Sequence, residues 1–382
     1  MHMPRTADRT KAALALSGGG FRATLFHLGT LIRLNELGML AGLERISSVS
    51  GGSIAAGQLA VQWRRLEKEG NRFTNLMDEV IQPLREFCRG DVDTRAVTLG
   101  TLSPFSTIGD KLTDIYADEL VGNAMLQDLP DKPQFVFNAT NLQTGRLVRI
   151  QKLRLVDYTI GEIRNPRLQV AKAIAASSAF PPVLSPVTID CSPSDWADLP
   201  GTRYFGNEGY SRKLSLTDGG AYDNLGLESV DDFATLIVSD AGAPFSTEPE
   251  AHHRWDKQAL RALDIATDQA RMLRRRLLFA ETQLRNAQAN SPAHHFALAA
   301  IGDDLTDPDT ARRLAAPRKL HTKPRLVEPL AAIRTRLNPF SDEEQGRLIN
   351  WGWYLTDLAV RTRLPDAGEP PTSWPVPEFP LD

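Results

Sequence analysis

Cysteine is almost absent from this sequence: Cys88 and Cys191 are the only two among 382 residues. Two cannot build a disulfide framework or a Cys-rich metal site, and their scarcity fits a reducing compartment. Histidine is scarce as well. Of the seven, only His27 falls among the glycine-rich motifs described below, which leaves a histidine-based triad little to draw on. The pairs His252-His253 and His294-His295 are adjacent, and neighbours on a helix point to different faces, so no metal is expected. Charge of one sign is missing too. The 44 Lys and Arg stand against 47 Asp and Glu, a net charge of −3, which gives no electrostatic case for nucleic acid. No apolar run approaches the ~20 residues that span a bilayer. The run Ala12–Leu16 follows Arg5, Arg9 and Lys11, but it is too short for a signal-peptide core and ends in glycines. These absences lead to the expectation of a cytoplasmic protein.

The hydrophobic fraction of 42% and the charged fraction of 24% are those of a soluble globular chain. Its organising stretch is Leu14-Ala15-Leu16-Ser17-Gly18-Gly19-Gly20-Phe21-Arg22. A short apolar run breaks into three glycines, and a helical pattern follows with Leu25, Leu28, Leu31 and Ile32 on one face. Strand, glycine turn and helix start together make an anion cradle, from backbone N–H groups and the positive end of the helix dipole. A second unit repeats the plan. Arg45 to Val49 reads as a strand, Ser50-Gly51-Gly52-Ser53 as a turn, and Ile54 onward as a small-residue helix. Two such units in succession indicate an α/β fold with a mostly parallel sheet flanked by helices.

Residues 66–130 read as an insertion or cap over the carboxyl edge of that sheet. Strands resume at Gln134–Ala139 and Leu147–Gln151, and Val170 to Ala179 reads as a helix. A strand over Lys213–Thr217 ends at Asp218-Gly219-Gly220, and another over Thr235–Ser239 ends at Asp240. Past residue 250 helices dominate: Leu260 to Leu284 is one amphipathic helix, and a last helix starts at the capping box Ser341-x-x-Glu344. The expected division is a catalytic domain over 11–245 and a helical extension over 250–382 packed on it. The Pro-rich end, 364–382, reads as a strapped-down or frayed tail.

Ser48-Val49-Ser50-Gly51-Gly52 is a near match to the nucleophile elbow G-x-S-x-G, with Ser48 in place of the first glycine. Small neighbours let the sharp turn form, and the Gly51 N–H faces the oxyanion beside donors from Gly18, Gly19 and Gly20. Gly18-x-Gly20-x-x-Ala23 also approximates a dinucleotide fingerprint, but the second strand lacks the acidic end that reading needs. Arg22 reads as a clamp holding the glycines. Asp218, before Gly219 and Gly220, reads as a strand-end carboxylate brought to Ser50 where parallel strands gather their carboxyl ends. Asp240 is the rival. Arg271, Arg274, Arg275 and Arg276 read as a solvated face of the long helix.

Taken in order, Gly18-Gly19-Gly20-Phe21-Arg22, Ser50 in its elbow and Asp218-Gly219-Gly220 resemble the oxyanion loop, nucleophile and D-G-G motif of the patatin-like phospholipase family. Ala175 to Pro181 looks like that family's Ala-Ser-x-Ala-x-Pro stretch, and Arg336 to Leu355 is similar to a C-terminal segment of some bacterial members. The resemblance implies a Ser50–Asp218 dyad that hydrolyses acyl esters of lipids through an acyl-serine, with no metal or cofactor. It implies a lipid ester substrate met at a membrane or micelle surface, so a peripheral location, and it leaves an activating partner open. Ser48 resembles the elbow of the cytosolic phospholipase branch. Two other readings stand beside it: an α/β-hydrolase with Ser50, Asp240 and a late histidine, and a nucleotide-binding regulatory module.

Overall fold

The computed structural model describes residues 11–102, 107–242, 244–245, 247–250, 253–287, 295–364 and 367–382. His2, His252, His294 and the Ser103-Pro104-Phe105 stretch lie outside the described residues. The centre is an 11-stranded mixed sheet. Its strands are β1 (Ala12–Leu16), β2 (Arg45–Ser48), β3 (Gln134–Asn141), β4 (Arg146–Ile150), β5 (Arg154–Asp157), β6 (Gly161–Arg164), β7 (Val187–Asp190), β8 (Trp196–Ala197), β9 (Lys213–Asp218), β10 (Thr235–Asp240) and β11 (His295–Ala300). The order runs β8-β6-β5-β4-β3-β2-β1-β10-β11, and β9 joins β3 to β7.

From β3 to β11 the strands are parallel, as the repeated strand–turn–helix units require. Leu16 is level with Ser48 on one side and Ser239 on the other, so the three motif-bearing turns leave the sheet side by side. From β3 outward through β4, β5, β6 and β8 the pairing is antiparallel.

The helices that matter for the site are α1 (Gly20–Glu36), α2 (Gly51–Gln62), α3 (Val92–Leu102), α4 (Ile108–Tyr116), α5 (Val170–Ser178), α6 (Trp255–Ala287) and α7 (Asp342–Arg363). Every residue of α1 from Gly20 to Leu34 is buried. The sheet covers one side of it and α7 the other. The two helices cross at glycines: a Cβ on Gly29 would stand 2.0 Å from the Ile349 carbonyl, and one on Gly352 2.0 Å from the Phe26 carbonyl. A buried ion pair, Arg33 to Asp357 at 2.7 Å, pins the same crossing.

Two sequence expectations change. Past residue 250 the chain supplies β11, an edge strand of the main sheet, as well as helices. Its run His295–Ala300 is rich in Ala and Leu, which favour helix. Its last five residues are buried, so the alternation that marks a half-exposed strand is absent. The other change concerns β9. It is antiparallel to β3, not one of the parallel set. β2 covers the β3 edge up to Phe137, and β9 takes over that same edge from Ala139. Asp218 therefore reaches Ser50 by descending toward the end of β2 from beyond the sheet's carboxyl edge.

The tail is strapped down over its described residues: Asn350 donates to the Val376 and Phe379 carbonyls at 2.9 and 2.8 Å, and Leu381 is buried. No described helix is long and apolar enough to cross a membrane.

Gly352→Ala should destabilise the protein by about 2 kcal/mol or more, because backbone atoms cannot give way as side-chain ends do. Urea unfolding should show a lower midpoint than Gly42→Ala, where a Cβ would meet nothing within 4 Å. Equal midpoints for the two variants would contradict the close crossing.

Candidate active site

The chain leaves β2 and turns sharply into α2 at Ser50, whose φ of 51° is unusual for a residue with a side chain. Such a conformation costs ~1–3 kcal/mol and persists only where the surroundings enforce it. Here the enforcement is backbone contact. The Ser50 N–H donates to the Ser177 carbonyl at 3.2 Å and to Ser177 Oγ at 3.1 Å. A Cβ on Gly51 would lie 2.0 Å from the Gly20 carbonyl, and one on Gly52 2.5 Å from the Leu16 carbonyl. The two glycine turns thus interlock with no room for side chains. Ser48, where an elbow glycine would stand, is accommodated because its hydroxyl donates to the Val136 carbonyl at 3.2 Å and accepts from Ser53 at 2.9 Å.

Gly19 and Gly20 take φ values of 138° and 57°, open to glycine alone without strain. The Gly18 N–H is taken by the Asn224 carbonyl at 2.9 Å. Those of Gly19, Gly20 and Gly51 have no acceptor among the described residues. Arg22 is 1% exposed and donates to the Ala331, Ile333 and Ala241 carbonyls at 3.0, 2.8 and 2.7 Å. It binds neighbouring backbone to the helix start rather than bonding the glycines themselves. Burial lowers its pKa to about 10.

Asp218 ends β9. Its N–H donates to the Ala179 carbonyl at 3.0 Å, and the next N–H, of Gly219, donates to the Ser177 carbonyl at 3.1 Å. One carbonyl oxygen therefore accepts from both Ser50 and Gly219. Gly219 must lack a side chain because a Cβ would stand 2.3 Å from the Asn138 carbonyl. The Gly220 N–H donates to Asp218 Oδ1 at 2.7 Å. Burial raises the Asp218 pKa to about 6, against the smaller opposing effects of the Ser50 hydroxyl and the Gly220 N–H.

The rival groups face elsewhere. Asp240 is buried, accepts from the Gly242 N–H at 2.9 Å and pairs with Arg271 at 3.4 Å and Arg275 at 3.6 Å. The arginine cluster is accordingly not a solvated face: Arg271 is buried, and Arg274 pairs with Asp223 at 3.5 Å. Only Arg276 of the four is exposed. His27 is buried under the glycine turn, 2.7 Å from Ser239 Oγ and 2.9 Å from the Ser17 carbonyl, and burial lowers its pKa to about 4.

Ser50, Asp218 and the glycines line one cavity of about 890 Å³. Phe180, Val183, Phe245 and Leu260 line it as well, and all four are exposed. The cap expected over 66–130 contributes α3 to this wall, while α6 and residues 335–339 supply much of the rest. Among the described residues, no three His, Cys, Asp or Glu side chains gather to hold a metal. Two important residues escaped sequence reasoning. Ser177 was legible only as part of a small-residue motif. Asn224, which holds Gly18, follows a turn with no local mark.

The family model described as patatin-like phospholipase matches residues 14–231. Among solved structures, the chain is similar to human GIVD cytosolic phospholipase A2, with a TM-score of 0.51 and 15% identity over 93% of this chain and 60% of that one. It is also similar to that enzyme in complex with methyl gamma-linolenyl fluorophosphonate, with a TM-score of 0.51 and 16% identity over 94% and 58% of the two chains. These likenesses are of fold, and this chain spans about 60% of the human enzyme's length. No curated protein matches.

The two carboxylates should respond oppositely to neutralisation. Asp240→Asn removes the carboxylate that faces the buried Arg271 and the half-buried Arg275 and should cost about 3 kcal/mol. Asp218→Asn removes a charge that burial disfavours and should stabilise by about 1–2 kcal/mol at pH 8. The folded pKa of Asp218 lies above its unfolded one, so its ionisation penalises the fold only at higher pH. The gain should shrink as pH falls from about 6 toward about 4 and vanish below that. Urea unfolding across this range checks both signs; a loss of stability in Asp218→Asn at pH 8 would contradict the assignment.

Proposed function

We propose, from the premise that this chain belongs to the patatin-like phospholipase family, that it hydrolyses lipid acyl esters through an acyl-Ser50 intermediate with Asp218 as base. The observation that carries this reading is the single Ser177 carbonyl accepting from Ser50 and Gly219, which holds nucleophile and carboxylate together. A serine hydroxyl needs an adjacent base, and a solvated aspartate, with a pKa of ~3.9, is a poor one. Burial brings Asp218 to about 6, much nearer to neutral pH.

In the reading, Ser50 Oγ attacks the ester carbonyl and its proton passes to the Asp218 carboxylate. The carbonyl oxygen becomes an oxyanion against the Gly19 and Gly20 N–H groups, with Gly51 beside them; a single such donor typically contributes ~3–4 kcal/mol. The C–O bond to the alcohol breaks, and Asp218 returns the proton to the leaving oxygen. Water, deprotonated by Asp218, then attacks the acyl-serine; the bond from the acyl carbon to Ser50 Oγ breaks, Asp218 returns the proton to Oγ, and the fatty acid leaves. Arg22 positions the loop through the carbonyls it binds. The apolar rim of the cavity suits an acyl chain, which supports a phospholipase A or lysophospholipase type of reaction at a lipid surface. The triad alternative of Ser50, Asp240 and a late histidine gains no support, since Asp240 is taken by Arg271 and Arg275 and no described histidine lines the cavity.

Ser50→Ala should abolish ester hydrolysis and labelling by a fluorophosphonate probe without lowering the unfolding midpoint. Asp218→Asn should reduce kcat by ~10³ or more, whereas Asp240→Asn, where it folds, should retain most of it. The base acts as a carboxylate, so kcat/KM on a soluble ester should fall about tenfold per pH unit below about 6. Turnover by Ser50→Ala, or a profile flat down to pH 4, would overturn the dyad.

A further inference from the structure

Helix α6 runs for 33 residues and anchors to the body by one side only. Leu278 and Phe279 pack against the buried cluster that includes Phe296, and the Phe279 and Phe296 rings meet edge-to-face at 4.8 Å. Arg271, Arg274 and Arg275 form the inward ion pairs described above. The opposite side carries a second pattern. Ala266, Ala270, Leu273, Leu277, Ala280 and Leu284 follow one another at alternating spacings of four and three, and the series extends back to Leu263 and on to Ala287. This is a heptad seam, and apolar seams sustained over roughly three to four heptads mark coiled coils. It points at solvent: Leu273 is 57%, Leu277 50% and Leu284 66% exposed.

We propose that a second copy of this chain docks on the exposed face of α6, the two helices forming a parallel two-stranded coiled coil. In this register Arg276 falls at a g position and Glu281 at the following e position. A parallel pair sets g of one helix against the next e of its partner, giving two symmetric ion pairs. Both side chains are exposed; Arg276 has no carboxylate partner among the described residues, and Glu281 meets Arg285 of its own helix only across an exposed 3.7 Å contact that the Arg276 of a second copy would replace. The seam's four alanines, Ala266, Ala270, Ala280 and Ala287, let the helices approach closely. Helix wheel geometry puts the seam opposite the core-facing side, so two bodies can sit on opposite sides of a central helix pair without meeting. The cavity remains open, because α6 reaches it through Arg261, Asp264, Asp268 and Arg271, on the other face. That placement argues against a lipid surface as occupant: a membrane on the seam would lie behind the helix, away from the cavity. The flanking Arg276 and Glu281 also sum to zero charge, with no cationic belt for anionic lipid.

Sedimentation velocity and light scattering on the full chain at micromolar concentration test this. The wild type should be a dimer. Leu277→Glu with Leu284→Glu should be a monomer with unchanged turnover and a cooperative unfolding transition. Arg276→Glu should weaken the dimer by roughly tenfold, and adding Glu281→Arg should restore it. In a Cys191→Ser background, Leu273→Cys should oxidise to a disulfide-linked dimer, since equivalent d positions face each other only in a parallel pair. A monomeric wild type, a dimer indifferent to the two seam glutamates, or the absence of the Leu273→Cys cross-link would each overturn the proposal. A monomer whose binding to phosphatidylglycerol vesicles is lost with the seam glutamates would assign the face to lipid instead.

Discussion

The carbonyl oxygen of Ser177 is where the structure converges. It accepts the N–H of Ser50, at a positive φ after β2, and the N–H of Gly219, just past the end of β9. Both are buried donors, the Ser50 N–H being shared with Ser177 Oγ, and leaving such a donor unmade costs about 1–3 kcal/mol. The pairing holds the strained turn and the aspartate in one frame. Ser177 Oγ extends the frame by donating to the Asn138 carbonyl at 2.6 Å and meeting Ser53 Oγ at 2.8 Å. The last turn of α5 therefore acts as a staple between two strand ends that share one edge of β3.

Electrostatics separates the two strand-end carboxylates that local sequence makes look alike. Asp240 accepts from the Gly242 N–H and faces Arg271 and Arg275. Asp218 has one backbone N–H and the Ser50 hydroxyl, and no salt-bridge cation among the described residues. Burial without such compensation destabilises its charged form and makes it a stronger base. Arg271 and Arg275 of α6 serve the first environment, so that helix bears on the site both by holding Asp240 and by lining the cavity.

The C-terminal third is integral to the core. α7 covers α1 at a crossing that only glycines permit, β11 continues the sheet, and the 335–336 backbone closes on the glycine turn. A Cβ on Gly20 would stand 1.6 Å from the Thr335 carbonyl. Arg22 ties the same region down through Ala331 and Ile333. The boundary near residue 250 marks a change of composition, while the packing across it is continuous.

The sequence by itself determined what neighbouring residues control. Apolar runs broken by glycines specify the first two strand–turn–helix units, and small residues around Ser50 specify a sharp turn. Those features depend on local sterics and periodicity, so Gly18–Gly20, Ser50 and the parallel centre of the sheet were legible. Tertiary structure alone decided how the aspartate meets the serine. Asp218 arrives because β9 pairs antiparallel on an edge that β2 leaves free, and because one carbonyl in α5 accepts from both turns. The inward turn of the arginines, the taking of Gly18 by Asn224 and the burial of His27 have the same origin. Each rests on hydrogen bonds or charges between residues far apart in the chain, and such pairings leave no periodicity or spacing in the sequence to read.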